Sequence, residues 1–152
     1  MLKPGQAAPD FELESHSGES VRLSSFRGSK VILYFYPKDD TSGCTAEACE
    51  FRDRIDVFED QNTVVLGVSP DGVESHQRFR AKYDLPFALL ADPDHAVAEA
   101  YGAWGEKKRY GRTYEGILRT TFVIDEAGKI ERVFENVKPK GHGDEVLAAL
   151  GD

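Results

Sequence analysis

The chain holds two cysteines, Cys44 and Cys49, five residues apart in Thr41-Ser42-Gly43-Cys44-Thr45-Ala46-Glu47-Ala48-Cys49. An apolar run, Val31-Ile32-Leu33-Tyr34-Phe35-Tyr36, precedes them and is followed by Pro37. Proline lacks a backbone N–H, so Pro37 ends the strand that this run predicts. Thr41 or Ser42 can cap a helix, and Gly43 lets the backbone come close to another group. Cys44 then falls in the first helical turn, where unpaired N–H groups and the macrodipole favour an anion. A thiolate is an anion, so the position favours the reactive form of the thiol. The same N–H groups could cradle an oxygen of a bound molecule.

The spacing of the second cysteine has its own consequence. On a helix, residues i and i+5 stand about 140° apart in azimuth and about 7.5 Å apart along the axis. Their Cα atoms are then about 9 Å apart, whereas a disulfide needs less than about 7 Å. While both residues stay helical no bridge forms, and bridging requires the first turn or two to unwind. Such a pair suits a thiol that is oxidised and then reset better than a static staple. A thiolate nucleophile also needs a positive partner. Arg119 stands immediately before the apolar run Thr120-Thr121-Phe122-Val123-Ile124, where a guanidinium could stabilise the Cys44 thiolate with fixed donors. Glu47 could orient that arginine.

The elements that must hold these residues follow from apolar periodicity. Phe11 to Leu13 and Val21 to Leu23 alternate in polarity around Ser15-His16-Ser17-Gly18, a small hairpin. Lys30 to Tyr36 and Thr63 to Val68 are buried strands of β-branched and aromatic residues. Between them Cys49, Phe51, Arg52, Ile55 and Phe58 recur at helical spacing, which predicts one long helix from Thr45 to Glu59. Val73 to Tyr83 is a more polar helix, Pro86 to Leu90 a short strand, and Asp92-Pro93-Asp94 caps a helix from about His95 to Tyr101. Thr120 to Ile124 and Ile130 to Phe134 flank Asp125-Glu126-Ala127-Gly128 as a hairpin. Asp144 to Leu150 forms a closing helix, with Gly151 beyond it. This order implies an α/β class, with parallel crossovers first and an antiparallel hairpin at the other edge.

Composition sets the bounds. The 152 residues fit one domain, 1–152, large enough to bury a core without disulfide staples. The net charge is −8, which argues against a nucleic-acid surface; Lys107-Lys108-Arg109 is too short a cluster to change that and reads as a solvated loop. No signal-like segment opens the chain and no run reaches ~18 apolar residues, so a cytoplasmic protein with no membrane span is expected. In a reducing compartment, cysteines are more often catalytic, redox-sensing or metal-binding than structural. His16, His76, His95 and His142 show no zinc-ligand spacing with the cysteines and read as surface or turn residues. Trp104, Tyr110 and Tyr114, in the Gly-rich stretch from Gly102 to Gly116, read as packing over the sheet end.

Tyr36-Pro37-Lys38-Asp39-Asp40-Thr41-Ser42-Gly43-Cys44-Thr45 resembles the peroxidatic-cysteine motif of peroxiredoxins, Pro-x-x-x-Thr/Ser-x-x-Cys. The second cysteine five residues on is similar to the bacterioferritin-comigratory-protein (Q-type) subfamily. The resemblance extends through Pro9-Asp10-Phe11, Leu23 to Gly28, Tyr101 to Lys108, Gly116 to Asp125 and Val137 to His142. Ser42 departs from it, since proline is common there. The resemblance implies a thioredoxin-like fold, a mixed central sheet flanked by helices with an N-terminal β-hairpin addition. It implies a thiol-dependent peroxidase acting on hydrogen peroxide and organic hydroperoxides, with no metal, haem or flavin cofactor. Cys44 would be the peroxidatic cysteine, Pro37 its shield from water, the Thr41 hydroxyl a hydrogen-bond partner of thiolate or peroxide, and Arg119 the third pocket residue. Cys49 would be the resolving cysteine of an intramolecular Cys44–Cys49 disulfide, reduced by thioredoxin or a similar dithiol carrier. The subfamily pattern implies a monomer or weak dimer. A redox sensor and a disulfide oxidoreductase are the competing readings; the latter would carry Cys-x-x-Cys, which is absent.

Overall fold

The computed structural model describes residues 1–150. In chain order its elements are β1 (Glu12–Glu14), β2 (Ser20–Arg22), a 3-10 turn (Leu23–Phe26), β3 (Lys30–Phe35), α1 (Ser42–Arg52), α2 (Ile55–Asp60), β4 (Thr63–Ser69) and α3 (Val73–Lys82). There follow β5 (Ala88–Ala91), α4 (Ala96–Tyr101), β6 (Trp104–Arg109), β7 (Arg112–Ile117), β8 (Thr120–Ile124), β9 (Ile130–Phe134) and α5 (His142–Leu150). Gly151 lies outside the described residues.

The central sheet has the order β5-β4-β3-β8-β9. β3, β4 and β5 run parallel, while β8 is antiparallel to β3 and β9 to β8. This is the expected thioredoxin-like arrangement, and β1 and β2 form the expected N-terminal hairpin. Side chains on a strand alternate between faces. Accordingly Ile32, Tyr34 and Tyr36 enter one apolar cluster, and Val31, Leu33 and Phe35 enter the other. Burial on both faces explains why this strand reads as a continuous apolar run.

Register carries the functional consequence. Phe35 pairs with Thr120, so Arg119 arrives beside the end of β3, where the chain turns toward Cys44. At the next strand, Gly67 lies opposite Tyr34, and a Cβ there would come within 2.9 Å of the tyrosine ring and hydroxyl. Glycine is what lets that ring lie across β4.

Two expectations need correction. The long helix from Thr45 to Glu59 is two helices, broken at Asp53-Arg54. The Arg54 guanidinium donates to the Glu50 carbonyl oxygen at 2.9 Å and to Asp144 at 2.7 Å. It thereby satisfies a last-turn acceptor of α1 and ties it to α5. The apolar period continues across the break because Phe51 and Phe58 still share one cluster.

The stretch read as a solvated loop around Lys107 to Arg109 is a hairpin, β6–β7, standing apart from the central sheet. Its loop is Tyr110-Gly111, with φ of 51° and 74°, the left-handed pair that a two-residue hairpin turn requires. Of its three aromatics only Trp104 packs, stacked on His95 at 3.7 Å. Tyr110 is 91% exposed and Tyr114 is exposed as well.

Candidate active site

Cys44 is positioned by a strand end, a turn and a helix start. The Tyr36 amide still donates to Val68, but Pro37 has no donor and the chain leaves the sheet. Asp40 takes a left-handed φ of 57° and Thr41 is the N-cap of α1, with extended backbone. Cys44 is therefore the third helical residue, and no side chain caps the helix. The first-turn amides, including that of Cys44, are left without carbonyl partners. The thiol is nonetheless buried, at 1% exposure.

Arg119 meets it from β8. Its Nη2 donates to Cys44 Sγ at 3.2 Å and its Nη1 to Glu47 Oε1 at 2.7 Å. Two groups 75 residues apart in sequence are thus in contact. Gly43 makes room for this: a Cβ there would sit 3.3 Å from Arg119 Nη2. Burial pushes the Arg119 guanidinium down, but Glu47 and Cys44 more than offset it and hold the group above its usual range.

Glu47 is completely buried, and its Oε2 has no hydrogen-bond partner. Burial pushes its carboxyl up to about 7, against the opposing pull of Arg119. Tyr34, beneath them, is held well above the usual phenol range, first by burial and then by the Glu47 and Cys44 charges. Its hydroxyl therefore stays protonated.

The remaining expected residues are placed as follows. Pro37 is half-buried at the strand end. Thr41 is exposed and its hydroxyl donates to the Lys38 carbonyl oxygen at 3.1 Å, not to Cys44. Cys49 is half-buried further along the same helix, and both cysteines are free thiols. Because both lie in α1, their Cα atoms are about 8.7 Å apart by helical geometry.

Sequence reasoning missed several groups. Lys107 is half-buried on β6 rather than in a solvated loop. Burial and then the positive Arg119 push its ammonium down, while Cys44 pulls it up, so it lies in the field of the site. His76 and His142 are not surface residues but are buried. His142 bonds Thr121 and Glu145, each at 2.8 Å, and the burial of the imidazole holds it below the usual histidine range. Beside it the Gly143 amide donates to Glu50, fastening α1 to α5. Partner geometry, invisible in a histidine's own sequence neighbourhood, is what makes these burials affordable.

The arrangement presents a cation and a helix start to a buried sulfur. It favours an anionic nucleophile and an oxygen that gains negative charge, and it opposes a metal cation at the same point. Fixed donors aimed at developing charge need no reorganisation during reaction.

Comparison with known proteins agrees with this chemistry. The AhpC/TSA family model matches residues 4–133. The peroxiredoxin Bcp of Bacillus subtilis (strain 168) is 49% identical over 151 residues, covering 99% of this chain and 96% of that protein. Peroxiredoxin Bcp of Escherichia coli (strain K12) is 49% identical over 146 residues, covering 96% and 94%. The structure of the Xanthomonas campestris bacterioferritin comigratory protein, studied for alkyl peroxide reduction, superposes with a TM-score of 0.92 at 36% identity, covering 98% of each chain. BcpB of Mycobacterium tuberculosis superposes at 0.88 with 34% identity, covering 99% and 97%. With the buried thiol at a helix start and these matches along nearly its whole length, the chain belongs to the AhpC/TSA family and is a thiol-dependent peroxidase of its Bcp, or peroxiredoxin Q, branch.

Proposed function

We propose that Cys44 is the peroxidatic cysteine and Cys49 the resolving cysteine of this peroxidase. The observation that carries the assignment is the Arg119 donor on Cys44 Sγ at the start of α1. The Cys44 thiolate attacks the terminal oxygen of a hydroperoxide. The S–O bond forms as the O–O bond breaks, and the departing oxygen takes up a proton and leaves as water or an alcohol. Cys44 is then a sulfenic acid. Arg119 and the α1 amides stabilise the charge shared across the breaking bond. Pro37 limits water at the sulfur, and the Thr41 hydroxyl turns from Lys38 to the peroxide when it binds.

The start of α1 then unwinds. The Cys49 thiolate attacks the Cys44 sulfur, hydroxide leaves as water, and an intramolecular disulfide forms. An external dithiol protein, thioredoxin or a similar carrier, reduces it through a mixed disulfide and leaves oxidised itself. Hydrogen peroxide and organic hydroperoxides both fit a reaction that needs only the terminal O–O group. A disulfide made within one chain needs no partner subunit, so a monomer or weak dimer suffices.

Peroxide consumption with a thioredoxin system tests the reading. Cys44→Ser is expected to abolish turnover. Cys49→Ser is expected to give one fast turnover, accumulate sulfenic acid and fail to cycle. Mass spectrometry of the peroxide-treated wild type should find Cys44 and Cys49 linked within one chain. Normal cycling of Cys49→Ser would remove the resolving role, and slow, stoichiometric oxidation of the wild type would favour a sensor.

A further inference from the structure

The six-residue segment between β3 and α1 holds a carboxylate that the mechanism does not use. Asp39 lies two residues after Pro37 and two before Thr41, and it is buried. Its Oδ1 accepts the Tyr36 hydroxyl at 2.6 Å. Its Oδ2 accepts the Ser75 hydroxyl at 2.8 Å and meets His76 Nδ1 at 2.7 Å. Its amide donates to Asp71 Oδ2 at 2.8 Å, which also accepts the Ser69 hydroxyl at 2.7 Å. The segment is therefore bolted by Asp39 to α3 through its side chain and to the turn after β4 through its amide.

His76 is the centre of that attachment. It has no exposure, and its Nε2 lies 2.9 Å from the Leu90 carbonyl oxygen of β5. A carbonyl only accepts, and so does a carboxylate. Both ring nitrogens thus face acceptors, and the ring links the Asp39 carboxyl to the β5 backbone. Breaking one side of such a pair leaves an uncompensated buried group, which is costly. Tyr36 contributes a dependable donor, because burial, Tyr34 and Asp39 hold its phenol well above the usual range.

A surface tether accompanies the buried one. Asp40, in its left-handed conformation, pairs with Lys82 and accepts the Tyr83 hydroxyl, each at 2.8 Å. Both tethers run to α3 and the residue just after it. At its other end α1 is fastened to α5 through Glu50 and Arg54. The helix that carries both cysteines is thus suspended between two fixed ends, and the end nearer Cys44 is fixed by Asp39.

We propose that His76 and Asp39 are positioning residues for the peroxide step: the pair holds the Pro37–Thr41 segment in register with Arg119 while the start of α1 winds and unwinds. The proposal rests on the reading of Cys44 as the peroxidatic cysteine. It places the pair's effect on the reaction of the wound helix with peroxide, and not on the closure that follows once the helix has opened.

The experiment is single-turnover stopped-flow kinetics on pre-reduced protein, resolving Cys44 oxidation by hydrogen peroxide from subsequent disulfide closure. His76→Phe keeps the ring shape and removes both polar contacts. It should slow Cys44 oxidation about tenfold or more while closure stays within about threefold of wild type or quickens. His76→Asn, whose amide can reach Asp39 where Nδ1 does, should restore most of the oxidation rate. Asp39→Asn, close to isosteric, should reproduce the His76→Phe split and carries the test if His76→Phe does not fold. Equal losses in both steps, no loss in either, or no rescue by asparagine would overturn the proposal. Wild-type protein whose Cys44 does not react with peroxide would instead overturn the assignment of Cys44.

Discussion

Arg119 divides one planar fork between two groups, Glu47 through Nη1 and Cys44 through Nη2. A lysine ammonium is a point charge and cannot make both bonds in one fixed geometry. Arg119→Lys should therefore fold but slow Cys44 oxidation by about 10²-fold, the scale of losing one preorganised donor. Stopped-flow oxidation rates check this, and a rate near wild type would mean that charge alone suffices. Arg119→Ala does more, because it strips the buried Glu47 of its partner. Removing one side of a buried pair costs about 3–5 kcal/mol, but this carboxyl has an escape through protonation. Its folded value is already pushed up to about 7, above the ordinary 4.5, and loss of the cation pushes it further. The folded state then holds the proton more tightly than the unfolded state, so stability falls as pH rises. Urea unfolding should show the Arg119→Ala penalty growing from about pH 6 to about pH 8, and Glu47→Gln in that background should flatten it. A pH-independent penalty would locate its origin elsewhere. At this scale the sequence announced much: the two thiols, their order, and the arginine. It did not announce that Glu47 is buried with one oxygen unpaired, because a glutamate three residues past a cysteine looks like any exposed helical glutamate.

In the proposed cycle α1 is the element that must change shape: both cysteines are wound into it and too far apart to bridge, so disulfide closure would be gated by its opening. Glu47 sits inside the part that opens, and opening hydrates its orphan Oε2. The carboxyl's folded value is raised, so its contribution to the wound helix is fully present below about 4.5 and is lost as pH rises through about 7. Across that window the wound state becomes progressively easier to open. After peroxide addition, disulfide closure in wild type should accelerate with pH more steeply than in Glu47→Gln. The ratio of the two rates isolates Glu47, since every other group is common to both proteins. A ratio that falls or stays flat between about pH 5 and about pH 7.5 would refute the coupling. The sequence predicts this helix but overruns its end, because Phe51 and Phe58 keep the apolar period while the Arg54 cap is a tertiary contact. The β6–β7 hairpin was illegible for the opposite reason. Neither of its faces is apolar, so the alternation that marks a half-buried strand is missing, and its turn uses Tyr-Gly where Asn-Gly would have been conspicuous.

At the scale of the whole molecule, the site exists because β8 runs antiparallel beside β3. That pairing carries Arg119 to the end of the strand that delivers Cys44, a juxtaposition no local pattern contains. The α/β class was legible in the apolar runs, since strands buried on both faces must be continuously apolar. The registers were not, because such runs look the same after a shift of one residue. The two buried histidines were hidden likewise: their partners, Asp39, Leu90, Thr121 and Glu145, come from the turn after β3, from β5 and β8, and from a neighbouring turn of α5. In the proposed cycle this architecture separates a fixed frame from an insert that opens. β3, β4 and β8 are enclosed by two apolar clusters, whereas α1 is anchored at its two ends by polar contacts around Asp39 and Glu50. Local openings draw on the segments with the fewest buried apolar contacts, and the start of α1 offers only Cys44 and Ala48 to the core before Phe51. Oxidation to the Cys44–Cys49 disulfide should therefore abolish amide-exchange protection at Thr45 to Cys49, down to the rates of an unstructured peptide. Protection in β3, β4 and β8 should stay as it is in the reduced protein. Hydrogen exchange read by NMR on both redox forms gives the map. Loss of protection spreading into β3 or β8 would mean that the disulfide forms through a larger unfolding, and that the frame is not independent of the insert.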